Sequence, residues 1–192
     1  MKNVLEFLEK TAPACGDKTA FSDGEENLSF AELAHLSRAG GSALIARGLK
    51  NEPVAVFMKK APKTIAAFFA VLYAGCYYVP LDASMPLYRL QMIFEQLSPR
   101  AVVCDDASRE LAERLSPEGS VISASELFAV EENAAALAAV RAKCIDTDPA
   151  YIVFTSGSTG VPKGVTGCHR ALIDYANALC PVIGADEESV FA

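Results

Sequence analysis

Three short apolar runs decide the fold: Pro53–Met58 (PVAVFM), Tyr77–Leu81 (YYVPL) and Ala101–Cys104 (AVVC). They start at positions 53, 77 and 101, a repeat of 24 residues. Each gap is too long for a hairpin turn and carries a helical pattern. Pro62–Ala74 runs apolar into Gly75, and Pro86–Leu97, with Ser84 as its expected cap, stops before Pro99. Strand, helix and strand in regular alternation imply crossovers, and crossovers imply parallel pairing with helices on both faces. The expected fold class is therefore α/β, with a largely parallel sheet.

Working outward, Ser29 and Glu32 form an S-x-x-E capping box. The helix they open places Leu33, Leu36, Gly40 and Leu44 on one face and stops near Gly48. Met1–Lys10 reads as a small amphipathic helix, because Glu6 and Glu9 interrupt the apolar run that a secretory signal requires. Downstream, the pattern predicts a helix over Ser108–Leu115, a short strand over Ser120–Ser123 and a helical connection over Ser125–Lys143. The turn Asp146–Pro149 then leads into a strand over Tyr151–Thr155. Glu188–Ala192 reads as the start of one more strand.

Composition narrows the function. The chain has 192 residues, 17 Lys+Arg against 24 Asp+Glu, and a net charge of −7. That balance argues against nucleic-acid binding, which calls for a basic face. The uncharged segment Ile65–Leu81 holds Gly75 and Pro80 and is too short to span a bilayer, which takes about 20 apolar residues. No membrane partner is expected. The six cysteines, Cys15, Cys76, Cys104, Cys144, Cys168 and Cys180, show no C-x-x-C pair and no neighbouring histidine cluster. They suggest no metal site or disulfide framework, and are expected to be buried, reduced thiols of a cytoplasmic protein.

The chemistry concentrates in Thr155–Gly164 (TSGSTGVPKG), which holds three glycines, four hydroxyls and one lysine. Glycines let backbone N–H groups approach an anion, hydroxyls add donors, and lysine adds charge. Placed after a strand, this describes a phosphate cradle at the C-terminal edge of a parallel sheet. A flexible loop of small residues is the plainer alternative, but the density of donors favours the cradle. A Walker motif is excluded, since Pro162 stands where its second glycine belongs and Gly164 where its magnesium-binding hydroxyl belongs.

The segment Tyr151–Gly164 resembles the signature of the AMP-binding, adenylate-forming ligases. Two further blocks are similar to those of the same family: Leu72–Asp82 (LYAGCYYVPLD) with Pro86 and Arg89, and Leu28–Leu33 (LSFAEL). Tyr78–Asp82 looks more like nonribosomal peptide synthetase adenylation domains and D-alanine carrier-protein ligases than like fatty acyl-CoA synthetases.

The resemblance implies that residues 1–192 form the N-terminal portion of a large adenylation domain, the remainder and a C-terminal lid domain being absent. It implies attack of a carboxylate, an amino acid or other small acid, on Mg2+·ATP. Transfer to the phosphopantetheine of a carrier protein would follow. Thr155, Ser156, Gly157, Ser158, Thr159, Gly160 and Gly164 would bind the phosphates, and Lys163 would be catalytic by stabilising pyrophosphate. The chain alone would be inactive and prone to self-association. The alternatives are a self-standing phosphate- or nucleotide-binding module without catalysis, or a fragment of an acyl-CoA synthetase.

Other residues take structural readings. Asp82 is expected to serve a turn or cap, and Arg89 to anchor a carboxylate or carbonyl. His35 should be solvated, His169 should serve helix entry, and Phe68, Phe69, Tyr77 and Tyr78 should be core aromatics.

Overall fold

Strand β3 (Pro53–Phe57) shows in five residues how the molecule is layered. Its side chains alternate between two separate apolar clusters. Val54 and Val56 point into one, Ala55 and Phe57 into the other, and all four are essentially inaccessible. Strand β5 (Ala101–Cys104) repeats the division, with Ala101 and Val103 on the first side and Val102 and Cys104 on the second. A strand covered on both faces must be apolar at every position, which is why these runs show no polar alternation. Fully burying a side chain the size of Phe57 contributes roughly 1.5–3 kcal/mol.

The computed structural model describes residues 1–116, 120–156, 160–186 and 188–191. Around β3 the elements follow in chain order: α1 (Leu5–Cys15), the hairpin β1 (Thr19–Ser22) and β2 (Asn27–Ser29), and α2 (Phe30–Ala46). After β3 come α3 (Pro62–Tyr73), β4 (Tyr77–Leu81), α4 (Leu87–Leu97), β5, α5 (Arg109–Leu115) and β6 (Ser120–Ser123). The chain continues through α6 (Ala124–Phe128), α7 (Ala134–Arg141), β7 (Pro149–Ser156), β8 (Pro162–Cys168) and α8 (His169–Ile183). The main sheet has six strands in the order β6-β5-β3-β4-β7-β8. All pairs are parallel except β7–β8, which is antiparallel. The fold is thus α/β with a mostly parallel sheet and helices on both faces, as the strand spacing implies.

Helices α2 and α3 pack unusually closely, and glycine permits it. A Cβ added at Gly41 would come within 2.6 Å of the Tyr73 Cβ, and one at Gly40 within 2.7 Å of the Ala70 Cβ. The capping box that opens α2 is fully formed: the Glu32 N–H donates to Ser29 Oγ at 3.2 Å, and the Ser29 N–H to Glu32 Oε2 at 2.9 Å. Phe68 stacks on Tyr78 with ring centroids 4.4 Å apart, and Phe69 packs against two apolar clusters, whereas Tyr77 is half-buried and joins none of them.

Several expectations are corrected. Ser84 does not cap α4, whose N-cap is Pro86 with no side-chain bond. Instead the Ser84 N–H donates to Asp82 Oδ1 at 2.8 Å, which makes Asp82 the turn residue it was read to be. The connection over Ser125–Lys143 is two helices, because a second capping box, Ser123 with Glu126, starts α6 early. The described residues 188–191 form no strand. Arg89 anchors no group among the described residues, and its Nε is buried without a partner. Only Cys76 and Cys104 are buried thiols; Cys15, Cys144 and Cys168 are half-buried and Cys180 is exposed, though all six are free. Among the described residues no helix is long and apolar enough to cross a membrane. Ile65–Leu81 resolves into most of α3 and all of β4.

Candidate functional site: the tip of the β7–β8 hairpin

Strand β7 joins the parallel sheet beside β4, with Tyr78 opposite Tyr151. It then runs past the sheet and pairs with β8 from Tyr151 opposite Gly167 to Ser156 opposite Pro162. The described flanks of the expected cradle, Thr155–Ser156 and Pro162–Gly164, are therefore paired strands of an antiparallel hairpin. Sequence reading missed β8, because Lys163, Gly164 and Gly167 are poor strand formers. Its only local cue is the alternation of Val161, Lys163 and Val165 with smaller residues.

The structure brings four of the expected site residues to this tip. Thr155 and Ser156 end β7, and Lys163 and Gly164 lie in β8. Gly157, Ser158 and Thr159 lie outside the described residues. Gly160 follows them with φ +77°, and nothing lies within 4 Å of where its Cβ would be. That backbone conformation is open to glycine at little cost. Gly164 pairs with Phe154, and a Cβ there would meet Ile152 at 2.9 Å, so this glycine serves packing.

Thr155 and Lys163 are cross-strand partners, which puts their side chains on one face. The Thr155 Oγ1 donates to the Lys163 carbonyl at 3.4 Å and ties the two strands together just below the tip. Lys163 is exposed and forms no ion pair among the described residues. Its ammonium is thus uncommitted. A glycine with positive φ, a hydroxyl and an ammonium with no ion pair among the described residues, all along this hairpin, suit a polyphosphate. Among the described residues no group of three His, Cys, Asp or Glu could hold a metal ion, so no residue here is assigned to Mg2+.

The remaining candidates sit elsewhere. Asp82 is exposed, and the Ser84 backbone bond holds its carboxyl below the usual carboxylate range. His35 is exposed on α2. His169 is buried at the start of α8, where the Val4 N–H donates to its Nδ1 at 3.4 Å and the Asn3 Nδ2 lies 3.4 Å from its Nε2. Burial, aided by the Arg141 cation and opposed by Asp148, lowers its pKa. It closes α8 against the N-terminus and does not face the hairpin tip.

The same architecture occurs in solved proteins that hold acyl-adenylates. The nonribosomal peptide synthetase FmoA3, with α-methyl-L-serine-AMP bound, superposes with a TM-score of 0.80 at 26% identity, over 93% of this chain and 19% of that one. Residues 8–191 match the model of the AMP-binding enzyme family, and the chain belongs to that family. The D-alanine–D-alanyl carrier protein ligase of Listeria monocytogenes is 31% identical over 179 residues, 91% of this chain and 34% of the ligase. Vanchrobactin synthetase VabF of Vibrio anguillarum is 30% identical over 176 residues, 90% of this chain and 6% of the synthetase. The chain thus spans about a third of the ligase and far less of the synthetases.

Proposed function

We propose that this chain is the N-terminal, phosphate-gripping portion of an adenylation domain. The whole enzyme activates a small carboxylate, an amino acid, by transfer of AMP from Mg2+·ATP with release of pyrophosphate. It then passes the acyl group to the phosphopantetheine thiol of a carrier protein. The observation that supports this reading is the pairing of Thr155 with Lys163 across β7 and β8, with Lys163 exposed and in no ion pair among the described residues. The likeness to a D-alanine carrier-protein ligase and to peptide synthetases supports an amino acid over a fatty acid.

In this reading Thr155, Ser156, Gly157, Ser158, Thr159 and Gly160 position the ATP phosphates through backbone N–H and hydroxyl donors. Lys163 places its positive charge where negative charge accumulates on the departing pyrophosphate. Catalysis comes from positioning and electrostatics, and no side chain forms a covalent intermediate. The cysteines need no part in it. Losing one such charge-stabilising donor costs about 2–4 kcal/mol at the transition state. In the whole enzyme, Lys163→Ala is expected to slow amino-acid-dependent ATP–pyrophosphate exchange about 100-fold. Wild-type exchange in that variant would refute the assignment, and faster exchange with medium-chain fatty acids than with any amino acid would refute the substrate class.

A further inference from the structure

Side chains of the β7–β8 hairpin alternate between two faces, and the two faces are supported differently. Ile152 and Phe154 turn to the apolar cluster that holds Leu90, Ile93 and Phe94 of α4. The other face carries three cross-strand pairs in line: Tyr151 with Gly167, Val153 with Val165, and Thr155 with Lys163. Val153, Val165, Thr155 and Lys163 are exposed, whereas Gly167 is buried and Tyr151 half-buried. Tyr151 packs against the cluster of Leu5, Leu72, Tyr73 and Leu137. This face of the hairpin is therefore held at its base and open from there on.

The backbone adds little at that base. Tyr78 opposite Tyr151 is the only register pair between β4 and β7 among the described residues, and Pro80 in β4 has no N–H with which to extend the ladder. Side chains do the holding. Phe68, Tyr78 and Tyr151 form a row, with ring centroids 4.4 Å and then 6.0 Å apart. Strand order places Tyr78 and Gly167 on opposite sides of Tyr151. On the far side the Tyr151 ring lies against the bare backbone of Gly167: a Cβ there would overlap its Cζ and Cε1 and stand 2.6 Å from its hydroxyl oxygen. The ring thus occupies the space that any other residue at 167 would claim. With Tyr78 behind it, added bulk at 167 would push β8 away from β7.

We propose that Tyr151 is a positioning residue for Lys163: its ring, wedged between Tyr78 and Gly167, sets the direction in which the hairpin carries the ammonium. The inference rests on the reading of Lys163 as the group that stabilises departing pyrophosphate. Thr155 and Lys163 lie four residues along their strands from Tyr151 and Gly167, about 13 Å away in extended chain. Over that length a small tilt at the base becomes a displacement at the ammonium. Where catalysis rests on placement, a displacement on the order of 1 Å costs about 100-fold.

The test is a double-mutant cycle in the whole enzyme, read by amino-acid-dependent ATP–pyrophosphate exchange. Gly167→Ala is expected to lower kcat about tenfold and to leave the KM for the amino acid unchanged, because only the hairpin is moved. In a Lys163→Ala background the same substitution is expected to change exchange by less than about twofold, since the group it misplaces is gone. Tyr151→Leu removes the ring without adding bulk and should repeat both results, while Tyr151→Phe keeps the ring and should hold exchange near the wild-type rate. Equal losses in the two backgrounds would mean a structural role only and overturn the proposal. So would a wild-type rate in both Gly167→Ala and Tyr151→Leu, which would mean that the ring yields. A wild-type rate in Lys163→Ala would instead overturn the reading of the lysine, and this inference with it.

Discussion

His169 shows how one side chain can set a pH dependence without touching chemistry. Its Nδ1 accepts the Val4 N–H, which requires an unprotonated nitrogen, and its folded pKa lies below the ordinary value of 6.5. The unfolded chain therefore binds a proton more readily than the folded one. Stability from this group is fully present above pH 6.5 and declines as pH falls from there through the depressed folded pKa. The carboxylates held low by backbone donors, Glu6 and Asp82 among them, act only in the more acidic range below their ordinary values. Urea unfolding should thus show a lower midpoint at about pH 5.5 than at pH 7.5, and His169→Gln should flatten that difference. An unchanged slope in the variant would remove His169 from the account. The contrast with Lys163 is instructive. The sequence already set Lys163 in a donor-rich segment and His169 at a helix entry; the structure adds that the histidine is buried against the N-terminal segment and that the lysine is exposed with no ion pair among the described residues.

At the scale of elements, the α2–α3 crossing is the most tightly specified contact. Gly41→Ala would drive a Cβ to 2.6 Å from that of Tyr73 and 3.2 Å from the Ala70 carbonyl oxygen, both on the facing helix. The variant gains helix propensity of about 1 kcal/mol yet must push α3 away, and overpacking of this kind costs typically 1–3 kcal/mol. Chemical denaturation should show a net loss of stability; a gain would mean the helices can separate freely. The sheet itself was legible, since β3, β4 and β5 are apolar runs, β3 and β5 buried on both faces, whose spacing leaves room for just one helix each. What was not legible is equally physical. Residues 162–168 hold Lys163, Gly164, Thr166 and Gly167, a composition that argues against a strand, and they pair because β7 offers an edge to the segment that follows it in the chain. Ser84 looked like a helix cap, but Asp82 claims its backbone N–H first and moves the start of α4 to Leu87. At the site, the cluster of donors was readable from residue types alone, whereas the face they share depends on the Thr155–Lys163 register, which no local pattern reports.

The whole molecule leaves one side uncovered. Val153 and Val165 are cross-strand partners that are 42% and 55% exposed, while Ile152 and Phe154 turn to the second apolar cluster. Along α8 only His169 and Ile173 are buried, and Tyr175 and Val182 are 65% and 82% exposed. Exposed apolar side chains, where they form a patch, tend to be buried by association. The purified 192-residue chain is expected to self-associate with rising concentration in sedimentation velocity, and Val165→Lys with Val182→Lys to shift it toward monomer. A wild-type chain that stays monomeric would refute this. The order of strands has a different consequence, for the chain as it leaves the ribosome. Reading β6-β5-β3-β4-β7-β8 in order of synthesis, each new strand adds to an outer edge of what already exists, and none must wedge between partners already joined. Once residues up to Cys104 have emerged, β3 has both neighbours in place and the sheet can grow outward from it vectorially. Its amides should accordingly be the slowest in the molecule to exchange with deuterium.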